Sequence, residues 1–316
     1  MKKLTSLLAL LASCTLSGFA QTDTTKAPAP VLPGVYADPN IAVFGNRFYI
    51  YPTTDGTEGW QSTYFTCWSS ADLVQWKDEG KILDLPRDLT WAAARAWAPT
   101  IGTKNGKYYY YYAADTNIGV AVADKPTGPF KDPLGKPLIK RGMFKGQMID
   151  PAVFTDDDGS SYLYWGNGSC HVVKLNEDMI SYDSTKIVSF KPQDYNEGPF
   201  VIKRKGIYYL MWSEFDTRDP RYSVWYATST SPLGPFVKAP GGPILKGRGV
   251  VKGAGHHSVV QVPGKDEWYI AYHRFKIPDG NGYNRETCIS SLHFDDKGNI
   301  LPVDVFEEIK PVEIKE

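Results

Sequence analysis

Cysteine is scarce, with four residues in a chain of 316, at positions 14, 67, 170 and 288, and no two stand in a C-x-x-C spacing. A zinc ribbon and a disulfide framework are thereby excluded, and Cys67, Cys170 and Cys288 are expected to be buried free thiols, packing as small apolar groups. Charge of one sign is lacking too. Lys+Arg and Asp+Glu both number 35, the formal net charge is zero, and no basic run is available to neutralise a phosphate backbone. No nucleic acid partner is expected. Sustained helical periodicity is missing, apart from "LTWAAARAW", which suggests a turn or two of helix.

The opening "MKKLTSLLALLASCTLSGFAQTDTTKAPAP" has two lysines followed by an apolar stretch too short to span a bilayer, which reads as an export signal. Small residues at Gly18 and Ala20 suit cleavage after residue 20. The alternative ending is "LASC", which resembles a lipobox and would leave a lipidated Cys14 in an outer-membrane form. The protein is expected to be periplasmic or extracellular in a bacterium. Residues 21–33, polar and proline-containing, are expected to form a flexible linker ahead of a single domain over 34–316.

What the chain has in abundance is aromatic and strand-forming sequence, 14% aromatic and 42% hydrophobic. A pattern recurs five times: "YADPNIAVFGNRFYIYPT", "AWAPTIGTKNGKYYYYYA", "MIDPAVFTDDDGSSYLYWG", "NEGPFVIKRKGIYYLMWS" and "GHHSVVQVPGKDEWYIAYH". Each copy has a short polar approach, a run of strand formers, a turn of Gly, Asn, Asp or Lys, and an aromatic run, which together make a hairpin. Registered on Pro39, Pro99, Pro151, Pro199 and Ser258, the copies repeat every 48 to 60 residues, enough for four strands each. The predicted fold is all-β, a five-bladed β-propeller of four-stranded antiparallel blades around a central channel.

In a propeller the starts of the innermost strands converge at one end of the channel. In this register the residue before the proline column is Asp38, Ala98, Asp150, Gly198 or His257, and the one before that is Ala37, Trp97, Ile149, Glu197 or His256. Asp before Pro also begins ordinary turns, which is the structural reading of Asp38 and Asp150. Glu makes such turns poorly, and Gly198 beside Glu197 is read as making room for a neighbour. The acidic run Asp156–Asp158 is read as a solvated hairpin tip. Carboxyl groups facing one another across a pocket suit glycosidic bond hydrolysis, in which an inverting pair stands about 6.5–9.5 Å apart and a retaining pair about 5–5.5 Å. Trp97, Trp165 and Trp60 are candidate sugar platforms, since an aromatic face suits the apolar face of a sugar. The loops over 53–63, 85–95 and 216–221 are expected to set pocket depth.

"YADPNI", "AWAPTI", "MIDPAVF", "NEGPFV" and "GAGHHSVV", in this order, resemble the glycoside hydrolases of family 43 over essentially the whole mature chain. The resemblance implies a five-bladed propeller and a single inverting displacement. It implies that Asp38 is the general base, Glu197 the general acid, and Asp150 the group that tunes and orients the acid. By the same resemblance His256 faces a channel-axis site for water or a calcium ion held through water, and Arg285 contacts the sugar. No cofactor is needed for the chemistry. The expected substrate is a pentose-containing plant polysaccharide or oligosaccharide, with α-L-arabinofuranosidase first. β-Xylosidase, endo-arabinanase or xylanase, and β-galactofuranosidase are the alternatives within the family. A catalytically inactive carbohydrate-binding propeller is the rival of another class, disfavoured because all three carboxylate positions are filled. A monomer is expected.

Overall fold

The computed structural model describes residues 23–314, so the export-signal region and Cys14 lie outside the described residues. Five antiparallel sheets, each from one contiguous stretch of chain, form the five blades of a β-propeller. The first blade is β1 (Tyr36–Phe44), β2 (Arg47–Thr54), β3 (Tyr64–Ser70) and β4 (Trp76–Asp84). The second is β5 (Trp97–Lys104), β6 (Lys107–Ala114) and β7 (Asn117–Ala123). The third is β8 (Ala152–Thr155), β9 (Ser161–Trp165), β10 (Cys170–Lys174) and β11 (Val188–Phe190). The fourth is β12 (Glu197–Arg204), β13 (Ile207–Glu214), β14 (Ser223–Ser229), β15 (Val237–Lys238) and β16 (Leu245–Lys246). The fifth is β17 (Gly255–Gln261), β18 (Trp268–Phe275) and β19 (Arg285–Leu292).

The four-strand expectation therefore holds for the first and third blades and needs correction elsewhere. The second and fifth blades have three regular strands, and their outer edges carry only isolated bridges such as Val122 to Lys131 and Phe294 to Ile300. Glycines and prolines in "KPTGPFKDPLGKPL" interrupt the outer segment of the second blade before it can become a continuous strand. The helix predicted in "LTWAAARAW" is also displaced: the short helix α1 is Leu85–Asp88, with a proline in its first turn.

Five hydrophobic clusters alternate with the five blades, one in each gap. Tyr110 and Tyr112 of β6 face the first blade, whereas Tyr109 and Tyr111 face the third. Tyr209 and Met211 of β13 face the fifth blade, and Leu210 and Trp212 face the third. Successive strand residues point to opposite faces, so a middle strand buried on both sides needs an unbroken apolar run. That is why runs such as "YYYYY" and "IYYLMW" stand in the second strand of each copy. Each such side chain contributes roughly 1.5–3 kcal/mol on full burial.

The ring closes through both ends of the chain. Leu32 is fully buried in the cluster between the fifth and first blades, together with Val312. The Val31 backbone N–H donates to the Thr287 carbonyl at 2.9 Å, on the outer edge of β19, while the Val312 N–H donates to Asp72 of the first blade at 3.0 Å. Arg274 Nη2 donates to the Pro28 carbonyl at 2.6 Å. The expectation of a flexible linker over 21–33 is thus overturned for the described part. Its prolines and small residues suggested a spacer, but Val31 and Leu32 are the apolar groups that fill this gap. Of the acidic run, Asp157 and Asp158 are exposed as expected, but the Asp156 carboxylate accepts from Lys203 Nζ at 2.6 Å and Tyr208 Oη at 2.5 Å, clamping the third blade to the fourth.

Candidate active site

Every innermost strand begins with an irregularity that aims side chains at the axis. In β5, β12 and β17 the pairing register shifts just after the first residue and in β1 after the second, and in all five blades the residue at this place, just ahead of β8 in the third, has a left-handed backbone. The φ values are 48° at Asp38, 41° at Ala98, 57° at Asp150, 63° at Gly198 and 40° at His256. Such conformations cost a non-glycine residue on the order of 1–3 kcal/mol and are held in place by the surrounding sheet. These five residues form an axial tier. The residues just before them, Ala37, Trp97, Ile149, Glu197 and Gly255, form a second tier, from which Trp97, Ile149 and Glu197 line the pocket.

The fifth copy corrects the sequence register. Its bulge lacks the proline and holds one residue fewer, between Gly255 and His257. His256 therefore occupies the axial place and Gly255 the place of Glu197, while His257 is buried in the wall with its ring edge-on to Phe200. Gly198 does make room for a neighbour: a Cβ there would lie 3.3 Å from His256 Nδ1.

The structure brings Asp38, Asp150, Glu197, His256, Arg285, Trp60 and Trp97 together around one pocket of about 260 Å³. Arg285 Nη1 donates to Asp38 Oδ1 at 2.9 Å, and His273 Nδ1 lies 3.0 Å from the same oxygen. Burial alone would push the Asp38 carboxyl up, but Arg285, His256 and His273 outweigh it and hold it well below the usual carboxylate range. Asp38 is built to be an anion. Glu197 is the opposite case. Burial is the largest influence and, with Asp216 and Asp38 adding like charge, pushes its carboxyl up to about 7 against the hydrogen bonds from Tyr222 and Asn167. Asp150 is also raised, by burial first and then by the charges of Glu197 and Asp38. The Gly198 N–H donates to Asp150 Oδ2 at 3.1 Å. Glu197 and Asp150 thus resist ionising together, so the pair holds on to a proton.

Arg285 was expected to contact sugar. Its guanidinium is buried, and its Nε and Nη2 donate to the two oxygens of Asp55 at 2.9 and 3.2 Å, leaving Nη1 for Asp38 and Thr217. It lines the pocket, but the contacts it makes hold Asp38. Trp165 needs a larger correction as a sugar platform. It is fully buried in the gap between the second and third blades, beside Phe144 and His171, because its position on β9 points sideways into the next blade.

Trp60 and Trp97 stay at the pocket. Trp60 Nε1 donates to the Gly282 carbonyl at 2.8 Å, and its ring lies 4.5 Å from that of Tyr283. Trp97 Nε1 donates to the Trp60 carbonyl at 2.7 Å. The Gly56 N–H donates to the Tyr283 carbonyl at 2.8 Å, and the Arg218 guanidinium lies 5.6 Å from the Trp60 ring. The rim is therefore braced across the first, fourth and fifth blades. Of the loops expected to set depth, 53–63 and 216–221 do so, whereas none of 85–95 reaches the pocket and 276–284 takes part in the brace.

Several residues that shape the site escaped sequence reasoning. Asp55 in "TTDGTEG" looks like a turn former, and Tyr222, Asn167 and Thr217 belong to no repeated column. His273 could have been found by pairing the fifth hairpin, since it stands opposite Gly255. A calcium ion bound directly by protein does not fit this site. Among the described residues no group of three or more His, Cys, Asp or Glu converges to hold a metal, and His256 Nδ1 lies 3.4 Å from Asp38 and 4.0 Å from Asp150.

Residues 27–300 match the family described as glycosyl hydrolases family 43. A beta-D-galactofuranosidase of Aspergillus niger is 38% identical over 90% of this chain and 87% of its own length. A xylosidase/arabinosidase of Humicola insolens is 31% identical over 86% of this chain and 98% of its own. Among solved structures, an alpha-L-arabinofuranosidase from Clostridium thermocellum superposes with a TM-score of 0.71 at 36% identity, covering 84% of this chain and 93% of that one. A propeller with a carboxylate trio at its mouth, matched along nearly its whole length by these enzymes, places the chain in glycoside hydrolase family 43.

Proposed function

We propose that this glycoside hydrolase is an inverting, exo-acting α-L-arabinofuranosidase. The observation that carries the reading is the opposite tuning of two carboxyls in one small, braced pocket: Asp38 held ionised and Glu197 held protonated. In this mechanism Asp38 takes a proton from a water that attacks the anomeric carbon. Glu197 gives its proton to the leaving oxygen as the glycosidic bond breaks on the opposite face. The products are an inverted sugar and a free alcohol. Asp150, which resists ionising together with Glu197, keeps a proton on the pair until transfer. A wall tied across three blades, with Trp60 and Trp97 on it, suits one terminal sugar better than a chain lying through a cleft.

The 38% identity to a β-D-galactofuranosidase supports a second reading. β-D-Galactofuranose and α-L-arabinofuranose share ring configuration and differ in the exocyclic tail, so one pocket floor can serve both. His256 is the residue that would hold a hydrated calcium ion, with no part in the proton transfers. The basic, apolar, small-residue order of the N-terminal stretch supports export, which would bring the enzyme to a polymeric substrate, and action as a monomer is part of the same proposal.

The test is turnover of the 4-nitrophenyl glycosides of α-L-arabinofuranose, β-D-galactofuranose and β-D-xylopyranose, alongside branched arabinan. The expected result is highest kcat/KM on the arabinofuranoside, and release of free arabinose without loss of viscosity. A preference for the xyloside, or a rapid fall in viscosity, overturns the assignment.

A further inference from the structure

Tyr222 stands at the junction of the rim loop and β14, fully buried and outside the pocket lining. Its hydroxyl donates to Glu197 Oε1 at 2.8 Å, while Asn167, which does line the pocket, donates through Nδ2 to Oε2 at 3.0 Å. The ring lies parallel to that of His273, with centroids 5.5 Å apart and planes 2° from coincidence, and His273 in turn touches Asp38. The innermost strand of the neighbouring fifth blade leaves space for it, since a Cβ on Gly255 would fall 2.4 Å from Tyr222 Cδ1. The Tyr222 N–H also donates to the Asp219 carbonyl at 3.0 Å, which anchors the rim loop carrying Asp216, Thr217 and Arg218.

We propose that Tyr222 is a positioning residue for the general acid: it fixes Oε1 as the acceptor oxygen, so that the transferable proton resides on Oε2. A neutral carboxyl has one carbonyl and one hydroxyl oxygen, and a phenol donates best to the first. The hydroxyl at Oε2 accepts from Asn167 and donates to the leaving oxygen. As the proton departs, Glu197 becomes a carboxylate and the Tyr222 bond becomes charge-assisted, so it is stronger in the transition state than in the ground state. Other groups act on Glu197 as well: Asp216 in the rim loop and Asp38 in β1 add like charge, Asp150 at the start of the third blade is the carboxyl that resists ionising together with it, and His256 is the neutral imidazole beside Gly198. Among the residues that surround Glu197, Tyr222 and Asn167 are the ones that hydrogen-bond its side chain.

The inference rests on Glu197 being the acid, and the test separates the two claims. Tyr222→Phe keeps the ring and its stack on His273 and removes only the hydroxyl. Wild type, Tyr222→Phe and Glu197→Gln are compared on 2,4-dinitrophenyl, 4-nitrophenyl and methyl glycosides of the preferred sugar, with pH profiles and melting curves. Tyr222→Phe is expected to lose about tenfold in kcat on the methyl glycoside and stay within about twofold on the dinitrophenyl one, which needs little proton assistance. The basic limb of its kcat/KM profile moves up by roughly one pH unit, because a donor that favoured the carboxylate is gone. Equal loss on all leaving groups, or a basic limb that stays or falls, overturns the proposal. If Glu197→Gln also loses equally on all three, the acid assignment itself falls. If Glu197→Gln is steeply dependent on the leaving group and Tyr222→Phe is not, only the role of Tyr222 falls.

Discussion

At the scale of the residue, the site works by giving like groups unlike surroundings. Asp38 and Asp150 occupy the same place in two blades, with the same left-handed backbone and the same following proline, yet their carboxyls are driven in opposite directions. The difference is the company: Arg285, anchored by Asp55, reaches Asp38, whereas Asp150 faces the charge of Glu197. Replacing Asp150 by Asn removes the neighbouring carboxyl that competes with Glu197 for ionisation, which lowers the pKa at which Glu197 loses its proton. A group that must be protonated to act then loses its proton at lower pH. Asp150→Asn is therefore expected to move the basic limb of kcat/KM down by about one pH unit or more, with a fall in kcat. Steady-state rates from pH 4 to 9 on an aryl glycoside check the sign, and an upward shift would contradict the tuning role.

At the scale of the element, the five hairpins were legible because a strand buried on both faces leaves a distinctive aromatic run, and the strand starts were legible because most of them carry proline. The fifth start has none, so the register slipped by one residue, and only the backbone at His256 corrects it. Asp55 and Tyr222 were invisible for another reason. They lie in connecting segments of unequal length, where no repeat fixes which way a side chain turns. The segment before β1 was misjudged on composition, since prolines and small residues concealed one fully buried leucine. Leu32→Ala is expected to destabilise the protein by about 2–4 kcal/mol, because the gap between the fifth and first blades would keep a cavity. Chemical denaturation measures this, and KM for the best substrate should not change, as Leu32 is not part of the pocket lining.

At the scale of the molecule, the blades are held by gaps filled pairwise, and the gap between the fifth and first blades is filled in part by Leu32 from ahead of the first blade and Val312 from beyond the fifth. Val312 is buried there, and its N–H bonds to Asp72. A chain ending at Glu308 is expected to melt a few degrees lower while keeping its preference among glycosides, since each 1 kcal/mol is worth about 1.5–2 °C at this size. Scanning calorimetry together with the substrate panel distinguishes lost closure from a damaged site.

The bulges have a further consequence for how this molecule can change. Each blade presents one axial position and one position before it, and these ten positions lie at the ends of the strands rather than in the middle runs that fill the gaps. Ala98 and Gly198 bring no functional group to the mouth, whereas Asp38, Asp150, Glu197 and His256 line the pocket. The scaffold already bears the backbone cost at the four axial positions that are not glycine, so side chains can be exchanged there without new backbone strain, whereas Gly198 and Gly255 are kept bare by the rings of His256 and Tyr222.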